Sequence, residues 1–428
     1  MGKERKAEII ITGDEIITGN TLDSNSQFLA RNLEAMGIKV CRITVVPDAE
    51  PALIEAAKLA FSRSNIIITS GGLGPTDDDL SMAAMSKAAG VELVENSYCL
   101  KHIHEHFHKQ GRGCPANNHK QAFVPKGATV LDNPNGTACG AALKFEYLDH
   151  ERLLILLPGP PAELIPMFEK VRNLLNDSNE KALAPLSLRV YGIGESLLEL
   201  LLRDLIRADM KIKISTYAHQ GEIEVVLSPQ ENSAECASNL AKVKAEIKRR
   251  LGNFLLSEDG STLTEVVFQL LKQERKSIAF AESCTAGLMS GKLSRIPGAS
   301  EVLKGGVVSY SEAVKHSLLG VSSADLERYT AVSDPVVRAM AEGLEKLLGA
   351  DLSISVSGLA GPGGGSRGLP LGTVFFALRY QEQTQSIKVR FGGSRELVQN
   401  RAVSQGLDIA RRALLNLPLQ EDLPVLVE

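Results

Sequence analysis

Two three-layer α/β domains joined by a small α+β connector are predicted by the order of segments along the chain, on three observations. At 428 residues the chain is too long for one ordinary domain. Towards both ends, short β-branched runs alternate with stretches whose apolar residues recur at helical spacing, which builds a mostly parallel sheet with helices on both faces. In the middle that alternation stops. The boundaries read as 1–172, 173–256 and 257–428.

In the first domain AEIIIT (7–12), IKVCRITVV (38–46) and NIIITS (65–70) read as strands, with helices over 26–36 and 52–61 between them. LLILLPGPPAELIPMF (153–168) adds a buried strand, a proline-stiffened turn and a helix. The middle segment reads βαββα: LRVYGIG (188–194), a leucine-rich helix (196–207), a hairpin of KIKISTY and EIEVVLS across His219-Gln220-Gly221, and a charged helix (234–251). KH-type nucleic-acid-binding modules share that order, but residues 173–256 hold eleven Lys plus Arg against eleven Asp plus Glu. A neutral segment offers no counterion release, so a structural or dimer-forming connector is expected rather than an RNA binder. In the third domain SIAFAE (277–282), KGGVVSY (304–310), LSISVSG (352–358) and GTVFFALRY (372–380) read as strands, and 286–294, 334–348 and 395–415 as helices. The last is long and unbroken, suited to covering the sheet or pairing two copies.

Composition narrows the classes of function. Hydrophobic residues at 44% and charged residues at 23% fit a chain with a sizeable core. A net charge of -4 without a long basic run points to small-molecule partners rather than nucleic acid. The six cysteines lie far apart with no C-x-x-C spacing, as expected of reduced cytoplasmic thiols. No apolar run nears the roughly 20 residues that cross a bilayer, and Thr12, Gly13 and Asp14 interrupt the first apolar stretch, so neither a membrane span nor a signal peptide is expected.

SGGLGPTDDDL (70–80) is a strand end, a glycine-rich turn and a helix start crowded with carboxylates. Glycines at 71, 72 and 74 let backbone N–H groups approach a phosphate, and the helix start adds favourable partial charge. Three adjacent aspartates would repel that phosphate unless a hard divalent cation of the Mg²⁺ kind bridged Asp78 or Asp79 to it. The plainer alternative is that Asp77 to Asp79 only cap the helix. TGDEIITGNTLDSNS (12–26) has the same style, with Asp14 after a strand and Asn25 opening a helix, and Asp48 follows the next strand. All these places fall at the carboxyl edge of a parallel sheet, where ligands bind. Gly71, Gly72, Gly74, Thr76, Asp14 and Asn25 are therefore the expected ligand-binding residues, and Asp48, Asp78 and Asp79 the expected metal ligands. HIHEHFH (102–108) places its histidines in two i,i+4 pairs on opposite faces, which reads as a solvated helix.

In AESCTAGLMSGKL (281–293) a serine, Ser283, and a cysteine, Cys284, compete for the role of nucleophile. Beyond residue 220 the only histidine is His316, which makes a histidine-based triad poor. SYSEAVKHSLLG (309–320) offers Tyr310 and Lys315; a lysine desolvated among apolar groups can serve as base and a phenol can relay its proton. Adjacent side chains point apart, and a thiol needs a feature that lowers its pKa, so Ser283 with Lys315 is the favoured pair. Backbone N–H groups at the start of the following helix are the expected oxyanion donors. VSGLAGPGGGSRG (356–368) has six glycines in thirteen residues without a Walker spacing, and either cradles a phosphate or is a mobile loop. FGGSREL (391–397) puts Arg395 in the first turn of a helix, a suitable phosphate fork.

GDEIITGNTLDSNS, VPDAE, SGGLGPTDDDL, NHKQAFVPKGA, NGTACG and LPGPPAEL, in that order over residues 5–170, resemble the N-terminal domain of the CinA (competence/damage-inducible) family, which is similar to the MoaB/MogA molybdopterin-binding fold. AESCTAGL, SYSEAVK, AVSDPVVRAMAEG, SVSGLAGPGGGS, GTVFFAL and GGSREL, over about 260–415, resemble its C-terminal domain, the PncC-type nicotinamide mononucleotide deamidases. The first resemblance implies a metal-dependent ADP-ribose pyrophosphatase, as in some members, with Asp48, Asp78 and Asp79 at the matching positions. The second implies hydrolysis of nicotinamide mononucleotide to nicotinic acid mononucleotide and ammonia, with no cofactor. Its residues carry over as Ser283 for the nucleophile, Lys315 and Tyr310 for the base system, and Ser357 and Arg395 for active-site groups, with Thr285, Gly361, Gly363 and Gly364 on the substrate side. The chain departs from the family at Ala286 (usually glycine), Ser357 (threonine), Ser394 (aspartate) and Cys139 (proline). The expectation is a cytoplasmic homodimer acting in pyridine-nucleotide salvage; its rival is a non-enzymatic sensor that binds nucleotide or pterin.

Overall fold

The computed structural model describes residues 5–176, 183–219, 221–363 and 368–420. They divide into two compact units, residues 1–185 and 186–428.

In the first unit six strands form one sheet in the order Lys39–Val46, Lys6–Thr12, Ile66–Ser70, His150–Leu157, Gly140–Tyr147, Thr129–Leu131. The first four run parallel and the last two antiparallel. The sheet is thus mixed rather than mostly parallel to its edge. Period-two alternation sends Ile9, Ile11, Ile66, Ile68, Ile155 and Leu157 into one core with Leu29, Leu33 and Phe168. Ile10, Ile67, Leu154 and Leu156 face the other core, against Leu53, Phe61 and Met85. Two buried faces explain why these strands read as unbroken apolar runs. The helices Ser24–Ala35, Glu50–Arg63, Ser81–Ala89, Ser97–Lys109 and Pro161–Asn176 complete the layers.

The second unit contains two sheets. Four strands, Ile212–Ala218, Glu222–Pro229, Leu186–Tyr191 and Leu255–Ser257, are ordered as given and carry the helices Glu195–Arg207 and Ala234–Leu251. The hairpin is present, and Gln220 at its tip lies outside the described residues. This segment packs against the rest of the second unit. The Arg189 side chain donates to the Gly260 carbonyl at 3.2 Å, the Tyr191 hydroxyl to Gln405 at 3.4 Å, and Arg411 to the Asn253 carbonyl at 3.1 Å.

The other sheet runs Leu303–Val308, Ile278–Glu282, Leu352–Gly358, Thr373–Tyr380, Gln383–Arg390, with the first three strands parallel. The helices Leu288–Ser294, Glu312–Leu319, Asp334–Leu348 and Arg395–Leu414 pack around it. Thirteen residues of the helix Arg395–Leu414 are buried within this unit, so it acts as a cover for the sheet. Its last turns hold Asp408 between Arg411 and Arg412, each guanidinium Nε donating to one carboxylate oxygen at 2.7 Å, with all three side chains at most 4% exposed. Removing the anion leaves two buried cations without it. Asp408→Ala should therefore destabilise the second unit by about 3–5 kcal/mol, read as a lowered denaturant midpoint; an unchanged midpoint would show that the cluster is neutral to stability.

Candidate active site

Three parallel strands of the second unit end side by side; Ser283 and Ser309 directly follow two of them, and Ser357 is the penultimate residue of the third. The Ser283 N–H donates to the Val356 carbonyl at 3.0 Å, and the Ser309 N–H to the Glu282 carbonyl at 2.8 Å, so the sheet ladder itself fixes where Ser283 and Ser309 stand. The chain then turns through 284–287 into the short helix Leu288–Ser294. Ala286 in that turn has φ of 51°, a left-handed conformation in which a methyl group costs about 1 kcal/mol. Glycine would carry no such cost.

Glu282 governs the turn. It is fully buried, and its carboxylate accepts from the N–H groups of Gly287 (3.0 Å), Met289 (3.0 Å) and Ser290 (2.9 Å) and from the Ser290 hydroxyl (2.8 Å). A carboxylate satisfied by four donors at a helix start is favourable even without solvent. These bonds occupy the helix-start N–H groups expected to hold an oxyanion. In the turn, the N–H groups of Cys284 and Thr285 are left without a protein acceptor among the described residues.

Lys315 reaches this place from the helix Glu312–Leu319, whose first turn is capped by Ser311. Its side chain is 1% exposed, and its Nζ lies 3.1 Å from the Ser283 Oγ and 2.5 Å from the Ser309 carbonyl. No carboxylate pairs with it among the described residues. Burial accordingly pushes the amine down to about 8, against weaker opposing effects of Cys284 and Glu312. An amine in that range accepts the Ser283 proton when neutral and donates to the same oxygen when charged. Cys284 is buried and its thiol is pushed up to about 12, so it is the neighbour and not a thiolate.

The remaining sequence candidates take different places. Tyr310, expected in the base system, bonds Arg395 in this structure: it is 59% exposed and its hydroxyl accepts from the Arg395 Nη2 at 2.9 Å. Arg395 also donates to the Gly361 carbonyl at 2.8 Å, which ties the helix start to the glycine loop. The Ser357 hydroxyl is buried and donates to the Ala331 carbonyl at 2.6 Å, so its hydrogen holds a loop. Thr285 is fully buried and its hydroxyl has no protein partner among the described residues. Gly363 is exposed, and Gly364 lies outside the described residues.

In the first unit the expected residues do meet at the strand ends, though differently from a metal cage. Asp48 accepts from the Thr12 hydroxyl at 2.9 Å and from the Asp14 N–H at 3.0 Å. Asp79 accepts from both the N–H (2.8 Å) and the hydroxyl (2.5 Å) of Thr76, while Asp78 is exposed. No three His, Cys, Asp or Glu side chains converge as ligands among the described residues. Asn25 donates to the Ser70 hydroxyl (3.0 Å) and the Gly159 carbonyl (2.6 Å), which makes it a brace between strand ends. Gly71 is required by close approach, since a Cβ there would lie 2.4 Å from the Thr12 carbonyl oxygen. The segment Ala116–Ala122 clamps the same loop: Lys120 donates to the Thr76 carbonyl at 2.5 Å and Gln121 to the Leu73 carbonyl at 3.1 Å. Among the histidines, His102 is half-buried against the Gly136 carbonyl at 2.9 Å and His106 bonds Gln110 at 2.8 Å.

Comparison with known proteins divides the chain into three matched segments. Residues 8–177 match the family described as "Probable molybdopterin binding domain", residues 186–256 the damage-inducible protein CinA KH domain, and residues 260–414 the CinA C-terminal domain. A CinA-like protein of Dictyoglomus thermophilum is 39% identical over 96% of this chain and all of its own length. The chain belongs to the CinA family. A CinA-like protein of Dictyoglomus turgidum is 38% identical with the same coverage. Among solved structures, the competence damage-inducible protein A of Klebsiella pneumoniae is 36% identical over 35% of this chain and 94% of its own, with a TM-score of 0.35. No helix among the described residues of this CinA-family chain is long and apolar enough to cross a membrane.

Glu282 escaped the sequence reading because glutamate beside a serine carries no signal by itself; its position directly before a helix start was the available clue. Glu282→Gln would set an amide NH₂ against backbone N–H donors. The expected result is a loss of about 1–3 kcal/mol in unfolding free energy together with a shifted Lys315 amine titration, followed by NMR; a wild-type titration would separate Glu282 from the site.

Proposed function

We propose that the second unit of this CinA-family chain hydrolyses the carboxamide of nicotinamide mononucleotide, releasing ammonia and nicotinic acid mononucleotide. One observation carries the reading: a buried, unpaired lysine amine 3.1 Å from a serine hydroxyl at the carboxyl edge of a parallel sheet. The Ser283 Oγ attacks the carboxamide carbon while the neutral Lys315 amine takes the hydroxyl proton. The developing oxyanion points to the N–H groups of Cys284 and Thr285, and Glu282 keeps that turn from moving. Lys315 then gives its proton to the departing amine, which leaves as ammonia, and an ester to Ser283 remains. Water, deprotonated by Lys315, cleaves that ester by the same steps. Arg395, braced by Tyr310 and the Gly361 carbonyl, presents its remaining N–H groups to the phosphate of the mononucleotide. The specific substrate rests on the family resemblance, and the amide chemistry on the pair of atoms.

Because the amine must be neutral to act, activity rises with pH, about tenfold per unit, and levels off near 8. Ser283→Ala and Lys315→Met should each lower kcat for ammonia release by about 10³-fold or more, with the fold intact by circular dichroism. Near-full activity in Ser283→Ala, or loss of it in Cys284→Ala alone, would overturn the assignment.

For the first unit we propose a phosphate-bearing nucleotide, such as ADP-ribose, seated on the Gly71–Gly74 turn. The carboxylates there are closed onto Thr12, Asp14 and Thr76, so as placed they do not form a divalent-metal cage, and no chemical step is assigned to a metal. ADP-ribose should bind by calorimetry without added metal, and yield AMP if the unit turns it over. An absence of heat with and without Mg²⁺ would remove the nucleotide.

A further inference from the structure

One side chain holds the turn after Ser283 from a distant part of the sequence. Gln399 sits in the second turn of the helix Arg395–Leu414, and its amide donates to the Cys284 carbonyl at 2.7 Å, across 115 positions of chain. The helix is seated there by packing as well, since Val398 and Ala402 share one core with the Cys284 side chain. The neighbouring carbonyls are held from within the turn: Ser283 accepts from the Ala286 N–H at 3.2 Å and Thr285 from the Leu288 N–H at 3.0 Å. The bond from Gln399 is shorter than either, and no other donor reaches the Cys284 carbonyl among the described residues. A trans peptide is planar, with its C=O and N–H on opposite sides. Fixing the Cys284 carbonyl on the helix therefore aims the Thr285 N–H away from the helix. The turn needs such a hold, because it passes next through the left-handed Ala286.

We propose that Gln399 is a positioning residue for amide hydrolysis: its bond to the Cys284 carbonyl sets the Cys284–Thr285 peptide so that the Thr285 N–H meets the oxyanion formed when Ser283 attacks. This role rests on the serine–lysine chemistry proposed above, and Gln399 itself touches no substrate atom. Two effects act through the peptide. The first is orientation, because an oxyanion donor contributes fully only when it is aimed before the charge develops. Without Gln399 the Cys284 carbonyl loses its donor, and the peptide turns to satisfy it elsewhere. The second is polarisation: a peptide whose carbonyl accepts a hydrogen bond becomes a stronger donor at its N–H. Arg395 lies four residues before Gln399, on the same face of the helix. The helix that offers Arg395 to the phosphate thus also sets a donor at the carboxamide end, and one rigid element gauges both ends of the mononucleotide.

The experiment compares the full wild-type chain with Gln399→Met, which keeps the length of the side chain and removes its donor. With nicotinamide mononucleotide, kcat for ammonia release should fall by about 10- to 100-fold at unchanged KM, less than the roughly 10²–10³-fold that follows outright loss of an oxyanion donor. Activity should still level off near pH 8, because the Lys315 amine is untouched. A wild-type kcat in Gln399→Met, or a loss that comes with a displaced pH profile, would overturn the proposal. Pyridine-3-boronic acid gives a readout that needs no mononucleotide: the Ser283 oxygen adds to the trigonal boron as its proton passes to Lys315, and the resulting tetrahedral anion is followed by boron NMR. Its dissociation constant should rise in Gln399→Met by the same factor as kcat falls, and equal affinities would again count against Gln399. A wild-type chain that forms this adduct but leaves nicotinamide mononucleotide intact would remove that substrate and keep the role of Gln399; one that does neither would remove both.

Discussion

A primary amine buried without a counter-ion is the constraint around which the second unit's strand ends are arranged. Among the described residues Lys315 keeps only a backbone carbonyl and a serine hydroxyl as partners. Both partners are positioned by the sheet: Ser309 through the Glu282 carbonyl and Ser283 through the Val356 carbonyl. Glu282 serves twice, since its backbone fixes one partner of the amine and its carboxylate fixes the turn that begins at the other. A carboxylate turned toward Lys315 would restore the ammonium and end its capacity as a base. Here the carboxylate is spent on the helix start instead, and the amine is left to desolvation alone.

Most of the scaffold was legible because its strands are buried on two faces and announce themselves as β-branched runs. Ile278–Glu282 and Leu352–Gly358 are of that kind, and their bounds fall within a residue or so of the sequence reading. Gln383–Arg390 was not, because QTQSIKVR is an edge strand with few apolar residues and its pairing with Thr373–Tyr380 is a tertiary fact. The same applies to Gly140–Tyr147, whose antiparallel pairing makes the first sheet mixed. At the site, Ser283 and Lys315 were legible from residue chemistry and motif order. The Tyr310 hydroxyl was not, because whether a phenol faces the lysine or the arginine depends on two loops folding side by side.

The two units prepare their sites to different degrees. In the second, the reacting oxygen, the base and the turn that follows are each held by backbone hydrogen bonds. In the first, Asp48 and Asp79 are closed onto hydroxyls and N–H groups of their own loops. A cation would have to compete with those donors for the same lone pairs. Cation binding there would require loosening of the Thr76–Asp79 turn, a cost that the serine–lysine pair does not carry.

The unpaired amine also has a thermodynamic consequence. Its value in the fold, about 8, is below the 10.5 of a free lysine, so the folded chain disfavours the charged form relative to the unfolded chain. Above pH 10.5 the amine is neutral in both states and exerts no penalty. As pH falls from 10.5 to about 8 the unfolded chain takes up the proton first, and below 8 the whole penalty applies, roughly 3 kcal/mol. At neutral pH the second unit thus carries a site that opposes its own folding, offset by cores such as the one around Phe280 and Phe376. Strain of this kind persists only where the surroundings over-determine it, and the Glu282 carboxylate with its four donors fixes the turn that follows Ser283.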